Sequence, residues 1–457
     1  MYGDDSPIAA FATNPGSGAL TVIRCSGKGS IDLLSSVFSA ERLKSAAGNT
    51  VVHGWIISAG ERIDETLVSV FRAPKSYTGE DSLDICCHGG SSAGKAVLSV
   101  LKKAGFRDAL PGEFTFRAFM NGKFDLTKCE SVMELVCAKT DTGRRHAVSR
   151  LMGSLENEIN GIKQILVQVL AGAEIYLDYS EDEISADAEE AAGKLPSREQ
   201  AEEAFIRLKK LSGSWQIERI YQEGITLVIA GPPNAGKSSL FNLFLKEDRS
   251  IVTEIPGTTR DWIEAFTSIE GIPVRLIDTA GLRNADDSIE KIGIERSRML
   301  LYEADIVLFL FDGALGITKD DIAECETLIK NKRTVFLWNK SDISPPVHPF
   351  PLAGISPISI SVKTGVGMDE LYSAITLILP KENESIDAAI GTERQKRLVD
   401  EACLTLGEAL KLTDEEEPLD LITPLIRQAV NSLGEITGEV STADILDEMF
   451  SKFCVGK

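Results

Sequence analysis

The sequence predicts a multidomain protein of the α/β plus all-α class, in which an α/β domain is inserted into a helical domain. Three observations support this prediction. Short apolar runs alternate with helical segments between about residues 222 and 380, helical patterns flank that block on both sides, and strand-like and helix-like runs mix before it. A chain of 457 residues suits about three domains at roughly 150 residues each.

The N-terminal region, which we assign to residues 1–122, is expected to be an α+β domain. The runs "ALTVIRCSG" and "ETLVSVFRAP" are typical of strands, and "GKAVLSVLKKAGF" is typical of a helix. Glycine and proline residues separate these runs, as expected for connecting turns.

The helical domain is predicted to consist of residues 123–220 and 381–457. One long amphipathic helix is expected around residues 146–177, because apolar residues recur there every three or four positions: Val148, Leu151, Leu155, Ile159, Ile162, Leu166 and Val169. The run "REQAEEAFIRLKKLSGSW" and three further runs after about residue 385 are also helical in pattern.

Residues 221–380 should form a mostly parallel sheet wrapped by helices. The runs "GITLVIAG", "VRLIDTAG", "ADIVLFLFDG", "RTVFLWNK" and "ISPISIS" are short, apolar and bounded by turn residues. Such strands are buried on both faces, which explains why their patterns are nearly continuous rather than alternating.

Composition limits the classes of function. A net charge of −21 argues against a general nucleic-acid surface, because clustered lysine and arginine hold phosphates. The eight cysteines show no CxxC pair, which fits a reducing compartment. The start "MYGDDSPIAAF" does not look like a signal peptide, and no run approaches the ~18 apolar residues of a membrane span. We therefore expect a cytoplasmic protein that does not cross a membrane.

The strongest motif is "GPPNAGKSS", residues 231–239, directly after the strand-like run "TLVIA". It satisfies the P-loop pattern G-x-x-x-x-G-K-[ST], in which backbone N–H groups close around phosphate. Lys237 is expected to reach the terminal phosphates, and Ser238 to ligate Mg²⁺. The other predicted phosphate-loop residues are Asn234, Ala235, Gly236 and Ser239.

Three further motifs follow in the order that a guanine-nucleotide switch needs. "DTAG" (Asp278, Thr279, Ala280, Gly281) can support the Mg²⁺ shell and meet a γ-phosphate. "NKSD" (Asn339, Lys340, Ser341, Asp342) ends in a carboxylate that can accept hydrogen bonds from guanine N1–H and its exocyclic amine, a donor pair that adenine lacks. "SVK" (Ser361, Val362, Lys363) can back the base. The ordered set predicts a GTPase.

The segment "TEIPGTTRD" lies between the P-loop and "DTAG" and is expected to line the nucleotide. Its predicted contact residues are Thr253, Glu254, Ile255, Pro256, Gly257, Thr258 and Thr259, and Thr258 or Thr259 can supply a second metal-ligating hydroxyl. Leu282 stands where a signalling GTPase often has a glutamine that orients the attacking water. Hydrolysis therefore needs another group.

The inserted GTPase block, the stretch "PGEFTFRAFMNGKFDLTKCESV" and the ending "FCVGK" together resemble the MnmE (TrmE) family of tRNA-modification GTPases. The resemblance covers essentially the full length. It implies an N-terminal folate-binding domain that also forms a homodimer, a helical domain built from both sides of the chain, and a P-loop GTPase domain inserted between.

The same resemblance implies a task. With an FAD-containing partner, MnmG (GidA), which uses NADH and forms a heterotetramer with it, the family adds an aminomethyl or carboxymethylaminomethyl group to C5 of the wobble uridine of certain tRNAs. The carbon comes from a 5-formyl- or methylene-tetrahydrofolate. The alternative is a regulatory or ribosome-assembly GTPase switch without modification chemistry, which would need a basic RNA-binding module.

The resemblance also assigns metal ligands and a catalytic group. A K⁺ ion would be held by Asn234, Thr253, Ile255 and Thr258, and Mg²⁺ by Ser238 and Thr259. A fixed cation beside the β- and γ-phosphates offsets developing charge, as an arginine finger does. Glu290, in "SIEKIGIE", would orient the attacking water in place of Leu282; a solvated carboxylate at a helix start is the other reading of Glu290.

The folate positions implied by the resemblance are Arg24, Asp84, Lys123 and Lys457. The family usually has a glutamate where Asp84 stands, one methylene longer, so this carboxylate would reach a pterin directly or through water. The tail is expected in the same pocket, with Cys454 near the reacting carbon. Cys454 would be either a nucleophile or a structural thiol, and we favour a catalytic role. Lipidation of "CVGK" is not expected, since Gly456 and Lys457 suit a prenyl box poorly.

Overall fold

The computed structural model describes residues 2, 4–14, 18–178, 195, 197–247, 263–278, 299–318, 321–322, 325, 328, 333–346, 350, 356–379 and 388–456. The chain divides into two compact units. One is made of Met1–Met133, Ser149–Ser212 and Glu393–Lys457, and the other of Glu134–Val148 and Gly213–Thr392. The chain thus leaves the first unit and later returns to it, which agrees with the predicted insertion. The finer division into four segments stays a prediction.

The first unit contains a six-stranded sheet in the order β3-β4-β5-β2-β1-β6. Its strands are β1 (Ile8–Phe11), β2 (Leu20–Ser26), β3 (Thr50–Ser58), β4 (Glu61–Phe71), β5 (Ser82–His88) and β6 (Arg107–Asp108). All neighbours are antiparallel except β1 and β6. One face is buried, with Ile23, Val68 and Ile85 fully inaccessible, and the residues that alternate with them point to the opposite face.

Helices make up most of the remaining regular structure. They are α1 (Ser30–Ser35), α2 (Arg42–Ser45), α3 (Ser91–Ala104), α4 (Glu113–Met120), α5 (Leu126–Cys137), α6 (Asp141–Leu151), α7 (Ser154–Asp178), α8 (Arg198–Glu223), α9 (Lys237–Glu247), α10 (Met368–Ile378), α11 (Glu393–Asp414), α12 (Leu419–Thr437) and α13 (Ala443–Ser451).

The predicted long amphipathic helix is two helices, so that prediction was wrong in one respect. Leu155, Ile159, Ile162, Leu166 and Val169 are fully buried along α7, as their spacing indicated. Val148 and Leu151 instead belong to α6. The break falls at Gly153, whose φ of 97° is a left-handed conformation that ends a helix and that glycine adopts without steric cost.

An ion pair joins the two chain segments that flank the insertion. Arg394, at the start of α11, donates from Nε and Nη2 to the two carboxylate oxygens of Glu130 on α5, at 2.9 Å each. Gln395 donates to the same carboxylate at 2.5 Å. The guanidinium also reaches the backbone oxygens of Glu435 and Ile436. Segments that are 264 residues apart in sequence are therefore fixed to each other by a nearly buried, hydrogen-bonded charge pair.

The second unit is built on a sheet with the order β12-β11-β10-β7-β9-β8. Its strands are β7 (Ile225–Ala230), β8 (Ile263–Ile269), β9 (Ile272–Asp278), β10 (Ile306–Asp312), β11 (Thr334–Asn339) and β12 (Ile358–Ser359). All pairs are parallel except β8 with β9. Separate apolar clusters cover the two faces. The five predicted strands and the mostly parallel sheet are confirmed.

The search for membrane-crossing segments covered the described residues. No helix among them combines the length and the apolar character that a membrane span requires.

Candidate active site

The motif residues of the second unit meet at one edge of its sheet. Strands β7, β9, β10 and β11 run parallel, so their carboxyl ends lie together, and each ends at a predicted site residue or the residue before a site loop. This edge is where ligands bind in open parallel sheets. The P-loop leaves β7 and enters α9, whose N-terminus favours an anion.

Gly236 permits the close approach of two loops. Its φ is 99°, and a Cβ placed there would lie 2.2 Å from Nδ2 of Asn339. That amide nitrogen donates to the backbone oxygen of Ala235 at 2.7 Å. The first residue of "NKSD" is thereby tied to the phosphate loop, which explains why a side chain at position 236 is not tolerated.

The two phosphate-facing residues predicted at the start of α9 are held in place. The Lys237 ammonium donates to the backbone oxygens of Gly231 and Pro232 at 3.0 and 2.8 Å. The Ser238 hydroxyl donates to Oδ2 of Asp278 at 2.7 Å, and Asp278 is fully buried at the end of β9. A hydroxyl and a carboxylate oxygen in contact are the hard oxygen donors that Mg²⁺ prefers, so these residues fit the predicted metal.

The base-selecting residues form a second layer of the same edge. The Ser361 hydroxyl donates to Oδ1 of Asp342 at 2.7 Å, and the Val362 N–H donates to Oδ1 of Asn339 at 3.2 Å. Asp342 itself is exposed. Its carboxylate is therefore oriented by one hydroxyl while still open to a ligand.

Part of the predicted site lies outside the described residues. These positions are Thr253, Glu254, Ile255, Pro256, Gly257, Thr258, Thr259, Thr279, Ala280, Gly281, Glu290 and Lys457. Of the predicted K⁺ ligands, Asn234 is described: it is exposed in the P-loop, with a left-handed φ of 62°.

In the first unit, Arg24 and Asp84 form a bidentate ion pair across β2 and β5. Arg24 donates from Nε to Oδ1 at 2.9 Å and from Nη2 to Oδ2 at 3.2 Å. Burial acts to lower the pKa of the guanidinium, but the Asp84 carboxylate outweighs it and the pKa of Arg24 is raised. The carboxylate predicted to face a pterin thus has both oxygens on Arg24.

Tyr77 is a pocket residue that the sequence reasoning missed. The guanidinium of Arg24 lies 5.6 Å from the centre of its ring, within cation–π range. Burial raises the pKa of the Tyr77 phenol, which hydrogen-bonds the Thr115 hydroxyl at 2.9 Å. Its position in "SYTGED", shortly before Asp84, was the available signal. An aromatic ring beside an arginine can bind a flat heterocycle.

The other predicted folate residues are less closely tied to this pair. Lys123 is exposed and donates to the Pro74 backbone oxygen at 3.2 Å. Cys454 is exposed, and its backbone oxygen accepts from Gly112 N at 3.3 Å. Among the hydrogen bonds and ion pairs printed for described residues, none joins Lys123 or Cys454 to the Arg24–Asp84 pair.

The C-terminal tail runs past the end of β1. Gly456 has a φ of 96°, and a Cβ there would lie 2.2 Å from the backbone oxygen of Phe11. Phe11 follows Ala10, the register partner of Arg24. The glycine of "CVGK" is therefore required by a close backbone contact near the strand pair that carries the ion pair.

Comparisons with known proteins cover the whole chain. A family model described as the MnmE helical domain matches residues 126–454, and one described as the GTP-binding protein TrmE N-terminus matches residues 7–123. The tRNA modification GTPase MnmE of Treponema denticola is 43% identical over 475 residues, covering 100% of this chain and 99% of that protein. The proteins of the same name from Borreliella afzelii and Carboxydothermus hydrogenoformans are 40% and 39% identical, with coverage of 99% or more on each side.

Among solved structures, the G domain of the T. maritima FeoB iron transporter is 25% identical and covers 34% of this chain and 99% of that chain, with a TM-score of 0.28. The assignment to a family does not depend on it.

Proposed function

The chain belongs to the MnmE (TrmE) family of tRNA modification GTPases, and from that premise we propose that it couples GTP hydrolysis to one-carbon chemistry at C5 of the wobble uridine. GTP hydrolysis in tRNA modification follows from the family. The finer proposal is that an aminomethyl or carboxymethylaminomethyl group is added, with a 5-formyl- or methylene-tetrahydrofolate as donor. The observation that carries it is the Arg24–Asp84–Tyr77 pocket in the same chain as a guanine-nucleotide site.

The nucleotide half of the mechanism uses residues of the second unit. Lys237 would move from its P-loop carbonyls to the terminal phosphates and neutralise part of their charge. Ser238 and Asp278, together with Thr259, would hold Mg²⁺, which withdraws charge from the β- and γ-phosphates when bound. Asp342 would select guanine through its paired donors, and Glu290 would orient the attacking water.

We also propose that a monovalent cation at Asn234 assists hydrolysis, with Thr253, Ile255 and Thr258 as the other ligands. The Asn234 side chain is exposed in the P-loop, where an amide oxygen can meet a cation beside the phosphates. GTP turnover is expected to be at least about tenfold faster in K⁺ than in Na⁺, because a fixed cation stabilises the charge that develops in the transition state. Initial rates in matched KCl and NaCl test this.

An Asn234→Ala variant is the matched control for the cation proposal, and it should turn over GTP at the same low rate in both salts. Equal rates for the unaltered protein in the two salts would exclude the cation-assisted mechanism.

The folate half rests on one face of the first sheet. A folate carries a flat pterin and glutamate carboxylates, which suit the Tyr77 ring and the Arg24 guanidinium. Lys123 and Lys457 would add positive charge for the carboxylates, and Cys454 would lie beside the reacting carbon. The tail contact at Phe11, next to the register partner of Arg24, supports this placement of the C-terminus.

The same face supports a homodimer through the N-terminal domain. Leu20, Val51 and Leu67 are 61%, 60% and 49% exposed. The strand registers place all three on the face that carries Arg24. Exposed apolar residues grouped in this way mark a contact surface, and a second copy of the chain would cover them and close the pocket. Sedimentation as a monomer at micromolar concentration would exclude this arrangement.

The remaining partners follow from the modification chemistry. We propose a heterotetramer with the FAD-containing MnmG (GidA) protein, which would supply FAD and NADH, and tRNA as the substrate, in the cytoplasm. With a net charge of −21, this chain would leave much of the tRNA contact to its partner. Wobble-uridine modification that proceeds without the FAD protein would contradict this part.

The function is tested by complementation of cells that lack the gene. The unaltered chain should restore C5-modified wobble uridine, measured by nucleoside analysis of total tRNA. Arg24→Ala should reduce the modified nucleoside at least about tenfold, because it removes a charged, partly buried contact and leaves Asp84 without its partner. GTP turnover by the purified variant should stay within about twofold of normal, since the nucleotide site lies in the other unit.

Arg42→Ala, at an exposed cation of the same domain, is the matched control and should restore modification fully. An unchanged wobble uridine in the deletion strain would overturn the modification function and favour a regulatory GTPase. Full modification by Arg24→Ala would overturn the folate pocket alone.

A further inference from the structure

We propose that Asp312 is a positioning residue for guanine recognition and acts through Lys340; this inference rests on the proposed guanine site. Asp312 closes β10, the strand beside the one that leads into "NKSD". Its carboxylate is 2% exposed. Oδ2 accepts from the Lys340 ammonium at 2.6 Å, and Oδ1 accepts from Ala314 N at 2.9 Å. The buried carboxylate is thus fixed on one side by its own turn and grips Lys340 with the other oxygen.

The contact matters because Lys340 has an unfavourable backbone conformation. Its φ is 64°, in the left-handed region, where lysine has neither the missing Cβ of glycine nor the short polar side chain of asparagine. This turn sends two site residues in different directions. Asn339 reaches the P-loop at the Ala235 oxygen, and Asp342 reaches Ser361.

A disfavoured turn persists only when its surroundings hold it, and such turns cluster at ligand sites. Two contacts from the end of β10 supply the hold here. One is the Asp312–Lys340 ion pair, and the other is the hydrogen bond from Gly313 N to the Asn339 backbone oxygen at 3.0 Å. The base-selecting carboxylate of Asp342 is therefore aligned from behind by a residue that need not touch the nucleotide.

An Asp312→Asn variant tests the inference, because it keeps the shape and removes the charge that holds the ammonium. The KM for GTP should rise about ten- to a hundredfold, while kcat stays within about twofold. The preference for GTP over ITP should fall as well. ITP lacks the exocyclic amine and so loses one of its two hydrogen bonds to Asp342, and this loss counts for less once that carboxylate is misaligned.

Asp321→Asn is the matched control. Asp321 is equally buried, at 4% exposed, and accepts from the Thr318 N–H and hydroxyl at 2.8 and 2.7 Å, but its printed contacts do not include the "NKSD" turn. It should carry a comparable structural cost without altering the GTP-to-ITP ratio. A change in that ratio equal to that of Asp312→Asn would show a structural role only and overturn the inference.

A double-mutant cycle covers the case in which Asp312→Asn folds poorly. If Asp312 acts through Lys340, then adding Asp312→Asn to a Lys340→Met chain should change the KM for GTP by less than about twofold. Additive effects would overturn the inference. Failure of the proposed site is distinguishable, because Asp342→Asn would then leave the preference for guanine intact.

Discussion

An Asp342→Asn variant is expected to lose GTP as a substrate and gain XTP. The carboxylate can accept two hydrogen bonds from guanine, and each hydrogen bond to a charged group contributes roughly 1.5–3 kcal/mol. Losing both alignments should lower kcat/KM for GTP by about 10²- to 10⁴-fold. An asparagine amide instead accepts from N1–H and donates to the C2 oxygen of xanthine. Steady-state kinetics with GTP, XTP and ATP provide the measurement.

The gain with XTP serves as the internal control, because a misfolded variant would lose all substrates alike. Ser361→Ala offers a graded comparison. It removes the hydroxyl that donates to Oδ1 of Asp342 at 2.7 Å but leaves the charge, so we expect a smaller loss for GTP and no gain for XTP. Retained guanine preference in Asp342→Asn would place base selection elsewhere.

The nucleotide site could be predicted from the sequence because each of its motifs directly follows a short apolar strand. In a parallel sheet those strand ends must meet at one edge. The contacts of Asn339 with Ala235 and of Ser238 with Asp278 confirm that the predicted neighbours lie together. Asp312 was missed. Its strand was predicted, but an aspartate that closes a strand has no signature of its own until its distance to Lys340 is known.

The pairing inside the first sheet was beyond the sequence. Arg24 and Asp84 are 60 residues apart, and their ion pair depends on a β2–β5 register that no local pattern fixes. The edge strand β8 was also missed, because its antiparallel pairing interrupts the parallel pattern on which the prediction relied. The α6–α7 break was missed because a glycine within an apolar periodicity does not reveal its φ.

Glu130→Ala is expected to destabilise the first unit by about 3–5 kcal/mol, because it leaves a buried charge without its partner. The carboxylate is 5% exposed, and it accepts from both Arg394 and Gln395. Replacement by alanine would leave the guanidinium of Arg394, 15% exposed, facing an apolar gap between α5 and α11. Calorimetry and hydrogen exchange of these two helices in the full chain are the measurements, with GTP binding reporting whether the inserted unit remains folded.

Asp414→Ala is the matched comparison in the same unit. Its partner Arg198 and Asp414 itself are 42% and 60% exposed, and such surface pairs contribute roughly 0–1 kcal/mol. The contrast between the two variants separates a solvated ion pair from one that joins the ends of the interrupted domain. Because Glu130 and Arg394 lie on opposite sides of the insertion, loss of their pair should raise exchange in α5 and α11 together. A rise confined to one helix, or equal stability of both variants, would mean that other contacts close the domain.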